Sequence, residues 1–159
     1  MDSPVIEISR LRWRRLVSEL ARRGRRERES GAFLLARAGC RTRRVAAIVP
    51  YDDLDARCLV GGIDLDGSAF ARLWALCAGR DLRVIADVHT HPGQGVAQSA
   101  TDARHPMVAT RGHLAIIVPN FAQGRPAPRE CGVHVYEGGH RWRSHLPPES
   151  AALLRRTLW

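Results

Sequence analysis

In the stretch VIADVHTHPGQGVAQSATD, residues 84–102, His89 and His91 stand one residue apart, and Ser99 and Asp102 follow three residues apart. The residues before them, Val84, Ile85, Ala86 and Val88, have the apolar character of a buried strand. Positions i and i+2 of a strand point to one face, so both imidazoles project together where the strand gives way to a loop. Two ring nitrogens at the mouth of a sheet are a natural metal pair, and Asp102, reached through the loop, adds a carboxylate as third ligand. Two nitrogens and one oxygen leave a fourth position open, the pattern of a catalytic zinc site and not of a closed structural one.

Each of these residues also has a plainer reading. A histidine on a strand is commonly just a satisfied polar residue. Ser-Ala-Thr-Asp fits the S-x-x-D helix-capping pattern, in which Ser99 merely starts the helix that carries Asp102. Pro92, Gly93 and Gly95 shape a turn. Asp87 lies two residues before His89 on the same face, either as an acceptor for an imidazole N–H behind the ligands or as the partner of an arginine. His105 and His113 have no ligand spacing, although His113 opens the following strand.

The elements that must position these residues alternate. PVIEIS reads as a short strand and LRWRRLVSELARR as an amphipathic helix, with Leu11, Leu16, Val17, Leu20 and Ala21 on one face. ESGAFLLARAG and TRRVAAIVPY form a hairpin around Gly39 and Cys40. DDLDARCLVGGIDLDG is a loop with a short strand, and SAFARLWALCAGR a helix ended by Gly79 as C-cap. LRVIADVHTH is the strand of the histidines, and a helical segment runs from about Ser99 to Thr110. HLAIIVPNFA is a central strand, CGVHVYEGGHRWRSH a hairpin around Gly138 and Gly139, and PPESAALLRRTLW a terminal helix. Mixed strands and helices in this order predict a layered α/β domain.

Composition narrows the function classes. The 159 residues carry a net charge of +9, and all 25 basic residues are arginines. Such charge raises nucleic-acid binding. No basic strand interleaved with aromatics is present to stack bases, so nucleic acid is not the expected partner. The absence of lysine beside abundant Arg, Ala and Gly reads as genome bias. RRGRRERE, from Arg22 to Glu29, reads as a solvated helix end whose cations suit the negative end of the dipole; otherwise Arg22, Arg23, Arg25 and Arg26 form a surface for an acidic partner. No run approaches a membrane span and the N-terminus lacks the apolar core of a signal peptide, so the cytoplasm is the expected location. Cys40, Cys58, Cys77 and Cys131 form no C-x-x-C pair and read as free thiols. Cys131 and His134, three apart in a strand, fall on opposite faces and do not suit a cysteine–histidine nucleophile.

H-x-H, then seven residues, then S-x-x-D resembles the signature of the JAB/JAMM metalloproteases, also called MPN-domain peptidases. Here it reads His89-Thr90-His91, PGQGVAQ, Ser99-Ala100-Thr101-Asp102. The family's other element is a glutamate on an early strand, followed by small residues and an apolar run. ESGAFLL, from Glu29 to Leu35, is similar, with Ala32 and Ala36 where glycines would be expected. The order of elements also matches. The resemblance covers nearly the whole chain and looks closest to the compact prokaryotic members.

That resemblance implies an α/β MPN fold, a central mixed β-sheet flanked by helices with cytidine-deaminase-like layering, in one domain over residues 1–159. It implies one Zn²⁺ per chain on His89, His91 and Asp102. Glu29 would hold the attacking water as general base and pass its proton to the leaving amine. Ser99 would donate to the oxyanion of the tetrahedral intermediate. By itself Glu29 reads as a solvated charge beside Glu27 and Arg28, and only the family pattern selects it over Glu27. The implied activity is that of a zinc isopeptidase cutting after the C-terminus of a ubiquitin-like protein. The implied partners are that protein's tail and conjugates, with the cognate activating and conjugating enzymes. Bacterial relatives accompany ubiquitin-like conjugation genes, including anti-phage operons. A thin, glycine-ended tail can lie as an added strand beside a sheet edge. The alternatives are a JAB-type peptidase for a sulfur-carrier protein or for phage-tail or cell-wall peptides, and a non-catalytic scaffold or nucleic-acid-binding module of the same fold. The patterns of other zincins and of zinc deaminases, H-E-x-x-H and H-x-E…P-C-x-x-C, are absent.

Overall fold

The computed structural model describes residues 4–159. Its chain order is β1 (Ile6–Ser9), α1 (Arg10–Arg23), β2 (Gly31–Arg37), β3 (Arg43–Arg44), β4 (Ala47–Pro50), α2 (Tyr51–Leu54), α3 (Gly67–Arg80), β5 (Leu82–Thr90), α4 (Ala100–Arg104), β6 (Leu114–Val118), β7 (Gly132–Gly138), β8 (Arg141–His145) and β9 (Leu154–Thr157). Six strands form one sheet in the order β4-β2-β5-β6-β7-β8. All neighbours in it are antiparallel except β5 and β6, which run parallel. A small parallel sheet, β3-β1-β9, stands beside it.

Alternation along β2 explains the layers. Ala32, Leu34 and Ala36 belong to one core with Leu16, Val17 and Leu20 of α1. Phe33 and Leu35 belong to the other, with Tyr51 and with Ala69, Leu73 and Cys77 of α3. Successive strand side chains point to opposite faces, so a strand covered by a helix on each side is apolar throughout. This is a mixed α/β fold with a central sheet flanked by helices, as the resemblance implies.

Several elements differ from the sequence expectation. Leu11 is exposed, and Trp13 takes its place in the α1 core, its Nε1–H donating to Pro126 O at 2.8 Å. The presumed second strand of the first hairpin is divided between sheets. Val45 N donates to Glu7 O while Ala46 N donates to Leu35 O, so β3 pairs with β1 and β4 with β2. The DDLDARCLVGGIDLDG loop contains no strand and opens with α2. Asp81, in the left-handed conformation, caps α3, and Gly79 lies inside the helix. The helix after Ser99 ends at Arg104, because His105 precedes Pro106 and a residue before proline is disfavoured in the α region. The expected terminal helix is a short 3₁₀ turn, Glu149–Ala152, followed by β9. The free side of β1 offers backbone partners, and Leu153 and Leu154 are buried there, which outweighs local helix propensity.

Candidate metal centre

The histidines sit where β5 leaves the sheet. β2 runs antiparallel to β5 with Gly31 opposite His89, and Thr90 N donates to Ser30 O. β2 therefore begins where β5 ends, and Glu29, two residues before Gly31, lies at the same end as His91. Opposed residues of an antiparallel pair share a face, so this register brings Glu29 beside the histidines. Gly31 is needed for a second reason. A Cβ there would lie 2.2 Å from the Tyr51 ring, which packs against β2 at this point.

Beyond β5 the chain is held at several points. His91 N donates to Val118 O, and His91 O and Gly93 O accept from Phe121 N and Asn120 N. Asn120, Phe121 and Ala122 all have positive φ, a left-handed run that costs non-glycine residues energy and places these two donors. Further on, the His134 Nε2–H donates to Val96 O at 2.9 Å, while His134 Nδ1 accepts the Ser144 hydroxyl at 2.8 Å. Burial pushes the His134 pKa down and keeps this imidazole neutral. A Cβ on Gly132 would come 2.1 Å from Val96 O, so only glycine lets the loop lie so close to β7. The loop then delivers Ser99, the N-cap of α4. Ser99 Oγ accepts the Asp102 amide at 3.1 Å, and the Asp102 carboxylate accepts the Ser99 amide at 2.8 Å.

The result is a compact triangle. His89 Nε2 lies 3.1 Å from His91 Nε2 and 3.5 Å from Asp102 Oδ1, and His91 Nε2 lies 3.2 Å from Asp102 Oδ2. Ligand atoms about 2.0–2.1 Å from a tetrahedral zinc are about 3.3 Å apart, so the donor set and its spacing fit the ion. Burial presses His89 toward neutrality, but the neighbouring Asp102 carboxylate, with Asp87 and Glu29, outweighs it and raises the imidazole pKa. Burial likewise works against the Asp102 charge. Hydrogen bonds from His89 and His91 and from the Ser99 amide outweigh it and hold the carboxyl far below the usual range. The group is arranged for a cation.

A cavity of about 700 Å³ opens over the triangle. Glu29, His89, Ser99 and Asp102 are among its polar lining residues, and Ile63, Leu65, Phe70, Met107 and Trp142 among the apolar ones. Its size is in the range of small-molecule and peptide-end sites. Glu27 is exposed outside it, whereas Glu29 is half-buried inside.

The profile of a family described as prokaryotic homologs of the JAB domain matches residues 13–143. The chain belongs to that family. Two solution structures resemble the JAB domain described here over nearly its full length. One is of a protein from Desulfitobacterium hafniense, with TM-score 0.65, 16% identity, and 97% of this chain and 95% of the other covered. The second is of a protein from Salinibacter ruber, with TM-score 0.61, 18% identity, and 92% and 94% covered. A crystal structure of a JAB1/MPN domain protein from Archaeoglobus fulgidus matches at TM-score 0.48 and 12% identity, covering 90% and 96%. For the two solution structures, at these identities, the likeness is one of fold.

Not every residue of the JAB domain falls where its spacing suggests. Asp87 is buried beside the site, but its carboxylate is 4.0 Å from His89 Nδ1 and instead accepts from His113 Nε2 at 2.7 Å, with the Tyr51 hydroxyl at 3.5 Å. The parallel register of Ala86 with Leu114 puts His113 next to Asp87, a pairing that spacing within one segment does not reveal. Cys131 is buried in the α1-side core, and His134 points instead to the Val96 carbonyl. His105 lines the cavity without joining the triangle. Trp142, whose Nε1–H donates to Ala103 O at 3.0 Å, and residues 61–65 were silent in the sequence. Arg22 pairs with Glu19, and Arg23 with Glu19, Asp52 and Asp53, so half of the proposed arginine surface is engaged internally. No helix among the described residues is long and apolar enough to cross a membrane.

Proposed function

We propose that this JAB domain is a zinc-dependent isopeptidase that cuts after the C-terminus of a ubiquitin-like protein. The observation that carries the reading is the His89–His91–Asp102 triangle with Glu29 and Ser99 on the wall of the same cavity. When bound, zinc supplies Lewis acidity, polarising the scissile carbonyl and lowering the pKa of water. Glu29 holds the attacking water, takes its proton and returns it to the leaving amine. Ser99 Oγ already accepts the Asp102 amide, so its own hydrogen is free to donate to the developing oxyanion. His89 and His91 stay neutral as ligands, and Asp102 supplies the negative charge. Residues 61–65 run along the cavity with Gly61 and Gly62 in positive-φ conformations, leaving room for an extended, side-chain-poor tail.

The test is a ubiquitin-like protein from the same gene cluster fused at its C-terminus to a reporter. Release of the intact C-terminus, abolished by a chelator and by Glu29→Gln but not by thiol reagents, is the expected result. No release from the fusion beside efficient cleavage of short cell-wall peptides would move the assignment to a peptidase of that class. Zinc binding with no hydrolysis of either substrate would leave a scaffold.

A further inference from the structure

A second cavity, of about 370 Å³, lies at the opposite end of β5 from the histidines. Arg43, Arg83 and Arg111 line it, and among the described residues no carboxylate does. Its floor is apolar (Leu82, Val84, Ile85 and Val108), and one wall is the half-exposed Trp74 ring. Two of the arginines are held by backbone carbonyls, and none of the three is neutralised. Arg43 Nη1 donates to Gly112 O at 2.9 Å, and Arg83 Nη2 donates to Cys40 O at 3.0 Å and Thr42 O at 3.3 Å. Among the described residues none of the three has a carboxylate within ion-pair distance, in contrast to Arg23, which has three. Burial and the neighbouring Arg83 charge both depress the Arg43 pKa, as expected for two cations crowded together with no anion between them.

We propose that this cavity binds a nucleoside monophosphate, its phosphate among Arg43, Arg83 and Arg111 and its base against Trp74. Planar guanidinium forks match phosphate oxygens in bidentate geometry, and backbone carbonyls already fix two of the three forks, so little ordering is needed on binding. An exposed indole beside an apolar floor gives a flat ring a face to stack on. A carboxylate ligand would use one fork and leave the remaining charge unmatched, which favours a dianion. The volume is near the lower end of the about 300–1,000 Å³ typical of small-molecule sites, fitting a mononucleotide better than a polymer. Trp74 stands one helical turn from Phe70, which lines the metal-site cavity, with ring centroids 6.3 Å apart, so α3 forms a wall shared by the two sites.

The test is titration of the purified full chain with AMP, by calorimetry and tryptophan fluorescence, with inorganic phosphate, adenosine and a poly-glutamate peptide as comparisons. The readout is binding alone and is separate from hydrolysis. Saturable 1:1 binding of AMP is expected, tighter than phosphate or adenosine. Arg111→Glu and Arg83→Ala should each weaken AMP by at least about tenfold, the loss of one charge-assisted contact. Trp74→Ala should remove the fluorescence change and the advantage of AMP over phosphate. Circular dichroism and Tm establish that each variant folds; if Arg83→Ala does not, the exposed Arg111→Glu decides. The proposal is overturned by a Kd weaker than about 10 mM, by AMP affinity unchanged in Arg111→Glu, by adenosine binding as tightly as AMP, or by Trp74→Ala leaving the preference intact. Tighter binding of poly-glutamate would overturn it in favour of an acidic protein surface.

Discussion

Ser99 and Asp102 are joined twice: Ser99 Oγ accepts the Asp102 amide at 3.1 Å, and the Asp102 carboxylate accepts the Ser99 amide at 2.8 Å. The capping box thus contains both the residue proposed as oxyanion donor and the carboxylate of the metal triangle. Capping and catalysis are therefore not rival readings of Ser99, and they separate by substitution. Ser99→Ala should cost about 1 kcal/mol of stability from the lost cap and about 10²- to 10³-fold in kcat. Ser99→Gly should recover most of the Tm, since glycine is a tolerable N-cap, and none of the rate. Recovery of both together would assign Ser99 to the helix alone.

Glu29 and Glu27 offer an internal control. Glu29→Gln should leave zinc content unchanged at about one per chain and abolish turnover, because the amide cannot accept the proton of the attacking water. Glu27→Gln, at an exposed position outside the cavity, should behave as the parent. Zinc content by atomic spectroscopy and single-turnover assays read the two effects separately.

The metal-free protein should have a stability optimum set by the triangle. His89 has a raised pKa in the folded state, so its contribution is complete below the unfolded value of about 6.5 and is lost as pH rises through the folded one. Asp102 has a depressed pKa, so its contribution is present above about 3.9 and is lost as pH falls below. After chelation, Tm should be highest between about pH 4 and 6.5 and decline on the alkaline side. Zinc requires the deprotonated imidazole, so its affinity should climb over the same alkaline range. Asp102→Asn should flatten the alkaline decline. A metal-free Tm rising steadily from pH 5 to 9 would contradict this account.

His134 is a structural clamp on the loop between His91 and Ser99. Removing its ring leaves the buried Val96 carbonyl without a donor, at a cost of about 1–3 kcal/mol. His134→Ala should therefore lower Tm and weaken zinc through looser placement of Asp102. His134→Gln, able to donate from its amide, should recover part of both. Unchanged zinc affinity in His134→Ala would show that the loop holds its shape without the clamp.

The Asp87–His113 pair should matter more together than apart. His113→Leu strands a buried acid and should cost about 3–5 kcal/mol, whereas Asp87→Leu/His113→Leu should be milder than the two single changes summed. Urea denaturation of the four proteins of this cycle measures the coupling.

Local signals carried much of the site. The apolar run of β5 followed by H-x-H placed two imidazoles on one face, and S-x-x-D announced the start of α4. What stayed hidden depends on contacts between distant segments. From its neighbours alone Glu29 could not be told from Glu27; the family pattern selected it, and the β2–β5 register that sets Gly31 opposite His89 supplies the physical reason. His113 gained its partner only through the parallel pairing of β5 with β6, and His134 through the descent of Val96 onto Gly132. β9 reads as helix in isolation and becomes a strand because β1 has an open side. Asp81 overrode Gly79 as the α3 cap by adopting the left-handed conformation that aspartate tolerates better than most side chains.

The pairing of β1 with β9 also dictates an order of assembly on the ribosome. Ile6 is matched on one side by Arg43 and on the other by Leu154, so one partner emerges soon after β1 and the other much later. Until Leu154–Thr157 leave the exit tunnel, β1 is an edge with unpaired amides and carbonyls, and the core around Ile6 and Ile8 lacks Leu153 and Leu154. Local hairpins such as β7–β8 close quickly, while this contact spans nearly the whole sequence and closes late. A nascent chain cut short before Leu154 keeps every residue of the metal triangle yet presents an open strand edge, which is a template for aggregation. Quality control of this protein thus falls on the closing of β9 onto β1, far in sequence from its chemistry.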